Sequence, residues 1–299
     1  MCRWRPRYGA LAREGGSVMN RIAVIGAGTM GRSIGYTAAI HGFTVRIYDV
    51  HEAALTRAKS ANVELAEKSA TREFITDEQK VYVEKNIVYE PNLERAVKEA
   101  DIVIEAVLEE MELKVNVFKE LDELTDEQTI LATNTSTLSP TEIGAATTRS
   151  DRVVAMHFFN PVHRMKLIEI VRGLDTSDET VERVQKLGRQ LGKETVEVRE
   201  FPGFVTSRMN CLIGNEAMNM YMEGVASAED IDKAIKLGLN HPMVPLELAD
   251  LVGLDSRLRN MNYLYETLGE KYRPCPILVQ YVKAGRLGRK SGKGFYEYS

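Results

Sequence analysis

His157 and Glu169 are the residues whose types and spacing best suit proton transfer. His157 lies at the end of an apolar strand, within AMHFFNP, and Glu169 lies in a second apolar run, KLIEIV. Histidine can accept and return a proton near neutral pH, and ligands bind at strand ends in open α/β sheets. A carboxylate in an apolar strand needs a partner, and a histidine beside it would be held in one tautomer. A lone strand histidine is more often a core residue, but this pairing favours a general base; His163, in a polar loop, is the weaker candidate.

A glycine pattern upstream indicates what such a base would serve. Gly26-x-Gly28-x-x-Gly31 follows a short apolar strand and opens a helix, and a second strand ends at Asp49. Gly26 would permit a tight turn, Gly28 would let the backbone approach a pyrophosphate, and Gly31 would allow close helix–strand packing. The helix N-terminus would offer N–H groups to the phosphates. Asp49 would accept hydrogen bonds from ribose hydroxyls and repel a 2′-phosphate, so the pattern predicts a dinucleotide fold that uses NAD.

The segment TNTSTLSP follows another apolar strand and carries a cluster of hydroxyl and amide groups at residues 134–139. These groups could orient a polar substrate or the nicotinamide. Such residues also cap helices. The residues alone leave both roles open.

The elements that must position these groups follow an α/β pattern. Strand and helix patterns alternate as far as residue 200, with a charged helical excursion at 52–85, and only helices follow the FPGF motif at 201–204. This predicts a Rossmann-type, doubly wound parallel sheet at 19–201 and an all-α domain at 202–299. Residues 1–18 are arginine-rich and lack the apolar core of a secretory signal. We expect them to be a disordered, vector-derived or mis-started extension rather than a transit peptide.

The composition excludes several classes of protein. The chain has 299 residues, is 44% hydrophobic and 27% charged, and has a net charge of −4. These values are typical of a folded globular protein and argue against a nucleic-acid binder. No apolar stretch is long enough for a membrane span. Three scattered cysteines favour a reducing compartment, and the five histidines lack metal-ligand spacing, so we predict no metal.

Seven segments together resemble the 3-hydroxyacyl-CoA dehydrogenase family, above all its short bacterial 3-hydroxybutyryl-CoA members. The resemblance runs from residue 19 to the C-terminus. The segments are GAGTMG, IEAVLEEMELK, NTSTL, HFFNPVHRMKLIEIVRG, PGFVTSR, DIDKAIKLGLNHPMVPLELADLVGLD and GRKSGKGFYEY.

The resemblance implies NAD-dependent oxidation of an (S)-3-hydroxyacyl-CoA to the 3-ketoacyl-CoA, and the reverse reduction. His157 would be the general base, Glu169 its partner, and Ser136 would hydrogen-bond the substrate oxygen. A cytoplasmic homodimer built on the C-terminal helices is also implied, as is a role in fatty-acid metabolism such as β-oxidation. The implied cofactor contacts are Gly26, Gly28, Thr29, Met30, Gly31, Asp49, Glu109, Lys114, Ser136, Asn160 and Lys290.

Lys68 and Arg72 match basic positions that contact coenzyme A in the family. Residues four apart lie on one helix face, where two cations can meet phosphates. Nearby glutamates could instead pair with them on a solvated surface, and Lys290 could likewise belong only to a basic surface tail.

The sequence departs from the family pattern at three positions. Ser207 replaces a usual asparagine that helps to position substrate, Ser33 replaces a glycine after the cofactor loop, and Val244 replaces a glycine in a turn. Valine there is costly if the turn needs a positive φ.

Two other functions stay open. The same fold could oxidise a 3-hydroxy acid without coenzyme A, such as a sugar acid or carnitine. A non-catalytic dinucleotide-binding protein is the second, although it would need neither Ser136 nor the histidine–glutamate pair.

Overall fold

A computed structural model describes residues 19–298 of the chain. The extension expected at residues 1–18 lies outside the described residues. Strands interspersed with helices occupy the chain as far as residue 199, and the remaining chain is helical apart from isolated bridges that join Gly288, Lys293 and Glu297. The predicted fold class, a Rossmann-type sheet followed by an all-α region, is therefore confirmed.

Eight strands form one sheet in the order β3-β2-β1-β4-β5-β6-β7-β8. The order reverses between β1 and β4, which is where ligands bind in doubly wound sheets. The strands are β1 (Arg21–Ile25), β2 (Thr44–Tyr48), β3 (Ile87–Glu90), β4 (Ile102–Glu105), β5 (Ile130–Thr133), β6 (Val153–Phe158), β7 (Leu167–Arg172) and β8 (Glu194–Arg199).

The predicted parallel sheet is found, except that the pairing reverses at one edge. Strands β1 to β6 are parallel, but β7 pairs antiparallel with β6, and β8 runs parallel to β7. The physical reason is the connection after β6, which is only residues 159–166. A parallel crossover needs about a dozen residues or more, so this chain can only turn back.

Helices cover both faces of the sheet. Alternate residues of β1 divide between two cores: Ile22 and Val24 pack in one, Ala23 and Ile25 in the other. The helices of this half are α1 (Thr29–Ile40), α2 (Glu52–Thr71), α3 (Asp77–Asn86), α4 (Leu93–Val97), α5 (Met111–Leu124), α6 (Pro140–Gly144) and α7 (Asp178–Gln190). The predicted excursion at 52–85 is the pair α2 and α3, and the Thr76–Gln79 capping box starts the second helix.

The C-terminal half has a core of its own, separate from those of the sheet. Its helices are α8 (Thr206–Met222), α9 (Ala228–Gly238), α10 (Pro245–Val252), α11 (Leu254–Leu268) and α12 (Pro276–Lys283). Within residues 19–298, the longest apolar helices fall short of what a membrane span requires.

Val244 lies directly before α10 with φ −88°, so the concern about a positive φ does not hold. Valine is unstrained in this extended conformation. The departure from glycine therefore leaves the turn intact.

Candidate active site

Strand pairing places His157 and Glu169 side by side. They are opposite residues of the β6–β7 ladder, and His157 Nδ1 lies 2.7 Å from Glu169 Oε2. The Glu169 side chain is fully buried. Burial opposes its ionisation, but the hydrogen bonds with His157 and Thr206 hold the pKa of Glu169 below its usual value. An ionised acceptor on Nδ1 places the proton there and leaves Nε2 free to accept one.

The first turn of α8 supplies the other donors to Glu169. Thr206 donates its backbone N–H to Oε1 over 3.0 Å and its hydroxyl to Oε2 over 2.9 Å. A carboxylate at a helix N-terminus is also stabilised by the helix dipole. Glu169 is therefore held by both halves of the chain.

Aromatic rings surround the imidazole. The ring centroid of His157 lies 4.5 Å from that of Phe159 and 6.0 Å from that of Phe204. Phe204 is buried with φ 50°, a left-handed conformation that strains a bulky residue. Phe204 packs against β6 and β7 and limits the space around the imidazole.

The segment after β5 reaches the same end of the sheet. Asn134 Oδ1 accepts the backbone N–H of Phe158 over 2.9 Å, which ties this segment to the end of β6. Ser136 donates its N–H (2.8 Å) and its hydroxyl (3.1 Å) to Glu109. Ser139 caps α6 by accepting the N–H of Glu142. The segment therefore both caps a helix and places the Ser136 hydroxyl near the strand that carries His157.

A buried ion-pair network supports Glu109. Lys114 is fully buried; its Nζ lies 2.7 Å from Glu105 Oε1 and 3.3 Å from Glu109 Oε2. Glu105 also accepts from Thr133 Oγ1 over 2.6 Å and from the Val107 N–H over 2.7 Å. Burial raises the pKa of Glu109, but Lys114 and the donors Thr135 and Ser136 bring it below its usual value. Because Lys114 is enclosed, it acts on this site through Glu109 rather than at the surface.

The glycine loop fits the pyrophosphate of NAD. Gly26 has φ +102°, and a Cβ on Gly31 would lie 1.8 Å from the Gly26 carbonyl oxygen, so both positions require glycine. A Cβ on Gly28 would meet nothing within 4 Å, which leaves open space where the loop faces a ligand. No side chain caps the N-terminus of α1 among the described residues, so its N–H groups remain available for phosphate.

Asp49 fixes this loop from the next strand. Its carboxylate accepts the Ala27 N–H over 2.8 Å and the His51 N–H over 2.9 Å. A carboxylate has about four lone-pair positions. Capacity therefore remains for ribose hydroxyls.

A cleft separates α1 from α2 and from the loop after β6. It has a volume of about 310 Å³, and its lining includes Thr29, Asn160 and Lys68. A second hollow of about 340 Å³ shares Lys68 and reaches Arg72. Lys68 pairs with Glu64 on this exposed helix face. The side chains of Lys68 and Arg72 therefore lie together at the surface, as their spacing in the sequence predicts.

The other predicted residues lie as follows. Met30 is half-buried against the sheet core, and Ser207 is half-buried in the first turn of α8, next to Thr206. Lys290 pairs with Asp255 over 2.6 Å, within the C-terminal half, so its assignment to the cofactor stays a prediction. Across residues 19–298, no cluster of histidine, cysteine, aspartate or glutamate has the arrangement of a metal site.

Sequence reasoning did not identify Thr206 or Glu105. Glu105 lies in the apolar strand DIVIEAV, the same signal that pointed to Glu169. Thr206 gave no such signal, because its contact arises only when α8 docks on the sheet.

Comparisons with known proteins agree with this geometry. The family model for the NAD-binding domain of 3-hydroxyacyl-CoA dehydrogenase matches residues 21–201, and the model for the C-terminal domain of the same family matches residues 203–298. A protein of Bacillus subtilis, named a probable 3-hydroxybutyryl-CoA dehydrogenase, is 50% identical over 285 residues, which is 94% of this chain and 98% of that protein.

Solved structures extend the likeness. The (S)-3-hydroxybutyryl-CoA dehydrogenase of Ralstonia eutropha superposes with a TM-score of 0.89 at 41% identity, covering 94% of this chain and 100% of that one. A diketoreductase, described as acting on dicarbonyl compounds, superposes with a TM-score of 0.82 at 32% identity, again over 94% of this chain and 100% of that one. The chain therefore belongs to the 3-hydroxyacyl-CoA dehydrogenase family and is an NAD-dependent oxidoreductase.

Proposed function

We propose that the chain oxidises (S)-3-hydroxybutyryl-CoA, or a related short (S)-3-hydroxyacyl-CoA, to the 3-ketoacyl-CoA, and catalyses the reverse reduction. The observation that carries this proposal is the hydrogen-bonded pair of His157 and Glu169. The pair lies at the end of the sheet where the Ser136 segment is tied to β6. The relatives named above add the substrate class.

The hydrogen bond between the two residues indicates which ring nitrogen of His157 accepts the substrate proton. Glu169 accepts a hydrogen bond from the Nδ1–H of His157, so Nε2 is the atom that takes the proton of the substrate hydroxyl. Glu169 then stabilises the imidazolium. When substrate binds, the Ser136 hydroxyl turns from Glu109 to donate to the substrate oxygen and holds that oxygen toward Nε2. Bound NAD supplies the acceptor for the hydride that leaves C3.

Two groups of residues hold the ligands in this proposal. The cofactor contacts are Gly26, Gly28, Thr29, Met30, Gly31, Asp49, Glu109, Ser136, Asn160 and Lys290, with Lys114 acting through Glu109. Lys68 and Arg72 bind the phosphates of coenzyme A, and Ser207 contributes to the acyl end of the substrate. The enclosed position of Lys114 behind the partly exposed Glu109, and the open face of Gly28, support this division.

We also propose a homodimer that forms through residues 202–299, with residues 19–201 forming the cofactor domain. Apolar side chains exposed on the C-terminal half support it, among them Met209, Leu237, Leu239 and Leu251. A cytoplasmic location, in fatty-acid oxidation or butyrate metabolism, is consistent with two free buried cysteines, Cys211 and Cys275.

The direct test is NADH consumption with acetoacetyl-CoA. We expect turnover with the parent protein, and a loss of about 10²- to 10⁴-fold in His157→Gln because the acid–base group is removed. Free acetoacetate is the comparison substrate. Turnover of acetoacetate but not of the CoA ester would contradict the proposal and favour the dehydrogenase that acts without coenzyme A. Binding of NADH with no turnover of either would favour a binding protein.

A further inference from the structure

One oxygen of the Glu169 carboxylate serves two donors at once. Oε2 lies 2.7 Å from His157 Nδ1 and also accepts the hydroxyl of Thr206 over 2.9 Å. The other oxygen, Oε1, accepts the backbone N–H of Thr206 over 3.0 Å. The proton transfer described above uses the bond to His157 and gives the Thr206 hydroxyl no part.

The burial of Glu169 limits what this hydroxyl can do. The Glu169 side chain is fully buried, so a substrate cannot reach it, and it affects the reaction through His157. An ionised carboxylate that is removed from water needs hydrogen-bond donors at its oxygens. Three donors at two oxygens also restrict rotation of the carboxylate more than one donor at each oxygen would. The Thr206 hydroxyl is therefore placed to keep Oε2 turned toward Nδ1.

The same bond favours the charged form of Glu169. Burial raises the pKa of Glu169, but the hydrogen bonds with His157 and Thr206 bring it below its usual value. When His157 carries two protons, an ionised Glu169 stabilises the imidazolium, whereas transfer of the Nδ1 proton to Glu169 would leave an uncharged pair. A donor that remains on Oε2 opposes that transfer.

The chain on either side of Thr206 holds the start of α8 in place. Phe204 has φ 50° and packs against β6 and β7. Arg208 donates its Nε–H to the hydroxyl of Tyr272 over 2.7 Å, and Tyr272 lies in the core of the helical half. A strained backbone persists where the surrounding structure holds it, and such strain is concentrated at functional sites. The position of Thr206 on Glu169 is therefore set by both halves of the chain.

We propose that Thr206 is a positioning residue for the base, an inference that rests on the proposed function. Its hydroxyl holds Oε2 of Glu169 against His157 Nδ1, so that Nε2 stays directed at the substrate oxygen. It contacts neither substrate nor cofactor. The proton-transfer step depends on it, and the binding of acyl-CoA does not.

The test measures kcat and KM for the reduction of acetoacetyl-CoA by NADH in two variants of Thr206. Thr206→Val keeps the shape and the backbone N–H but removes the hydroxyl, so kcat should fall about 10- to 100-fold with KM unchanged. Thr206→Ser keeps the hydroxyl and should stay within about 3-fold of the parent's kcat. Val205→Ala shortens the neighbouring side chain, which is exposed, and is the matched control that should keep the parent's kcat.

A double variant separates a positioning role from a structural one. His157→Gln already lacks the base, so adding Thr206→Val to it should change the residual kcat less than about 2-fold. A loss in that background as large as in the parent would overturn the proposal, because the hydroxyl would then act independently of His157. An unchanged kcat in Thr206→Val would overturn it as well. If Thr206→Val does not fold, as judged by its thermal melt, Thr206→Ala provides the same comparisons.

The parent protein separates this proposal from the proposed function. Failure of the parent to reduce acetoacetyl-CoA would refute the function. An active parent whose Thr206→Val variant keeps full kcat would refute only the positioning role.

Discussion

Replacement of Lys114 by methionine should destabilise the cofactor domain strongly. Methionine keeps the apolar stem of lysine but removes the ammonium that lies 2.7 Å from Glu105 Oε1. Glu105 is fully buried, so its carboxylate would lose its counter-ion in a site without access to water. Its two remaining donors, Thr133 and Val107, are neutral.

The size of the effect follows from this burial. Removing one partner of a buried ion pair costs about 3–5 kcal/mol. For a domain of this size, each kcal/mol lowers Tm by about 2–4 °C, so the expected fall is roughly 6–20 °C. Glu109 would also lose the charge that lowers its pKa, and with it part of its hold on Ser136. NADH affinity should fall together with Tm.

The measurement is a thermal melt, with the double variant Glu105→Gln/Lys114→Met as the control. The double variant buries no charge at this pair, and glutamine can still accept from Thr133 and Val107. It should recover most of the lost Tm. If the single variant melted within about 2 °C of the parent, as an exposed substitution would, the buried charge would not be the stabilising feature.

Four further substitutions have defined outcomes. Because the pKa of Glu169 in the folded protein lies below its usual value of 4.5, the ionised carboxylate stabilises the fold above pH 4.5, and this stabilisation is lost as the pH falls through the lower pKa. The Tm of the parent should therefore fall more steeply below pH 4.5 than the Tm of Glu169→Gln. Parallel curves of Tm against pH would contradict this prediction. In Gly31→Ala the new Cβ would lie 1.8 Å from the Gly26 carbonyl oxygen, so both Tm and NADH affinity should fall. In Gly28→Ala the new Cβ meets no protein atom within 4 Å, so Tm should stay at the parent's value. The methyl group would face the phosphates of the cofactor, so NADH affinity measured by calorimetry should fall about 10-fold or more. Val244→Gly should lower stability by about 0.5–1 kcal/mol, because φ −88° stores no strain for glycine to relieve; a higher Tm would refute this.

The α/β half was predictable because its signals are local. Apolar runs, glycine spacing and helix periodicity identify β1, α1 and β2 within a few residues of their ends. The position of Asp49 after β2 and of His157 at the end of β6 follows from the same runs. Such signals need no knowledge of how distant parts of the chain meet.

The direction of β7 was missed although the sequence contains the necessary signal. Residues 159–166 have no helical pattern and are too few for a crossover, so a reversal could have been inferred from length. The reversal places Glu169 opposite His157 in the ladder. The sequence pattern indicated that the two residues were partners without indicating how the strands bring them together.

The roles of Thr206 and Lys114 depend on tertiary contacts, which the sequence does not reveal. Thr206 reaches Glu169 only because α8 docks against the sheet, and Lys114 becomes buried only when α5 packs beside β4. Glu105, like Glu169, is a carboxylate in an apolar strand, so the same pattern predicts that it is buried and paired.

Glu169 is held by hydrogen bonds from both halves of the chain. Two of its hydrogen-bond donors belong to Thr206 in the helical half, and the third partner is His157 in the sheet. A displacement of α8 would therefore change the restraint on the imidazole even if no residue near the substrate were altered. Substitutions where α8 packs against the sheet, far from the ligands, can therefore slow the reaction by changing the orientation of the imidazole. Any redesign of the helical half must therefore preserve the packing of α8 against the sheet as carefully as His157 and Glu169 themselves.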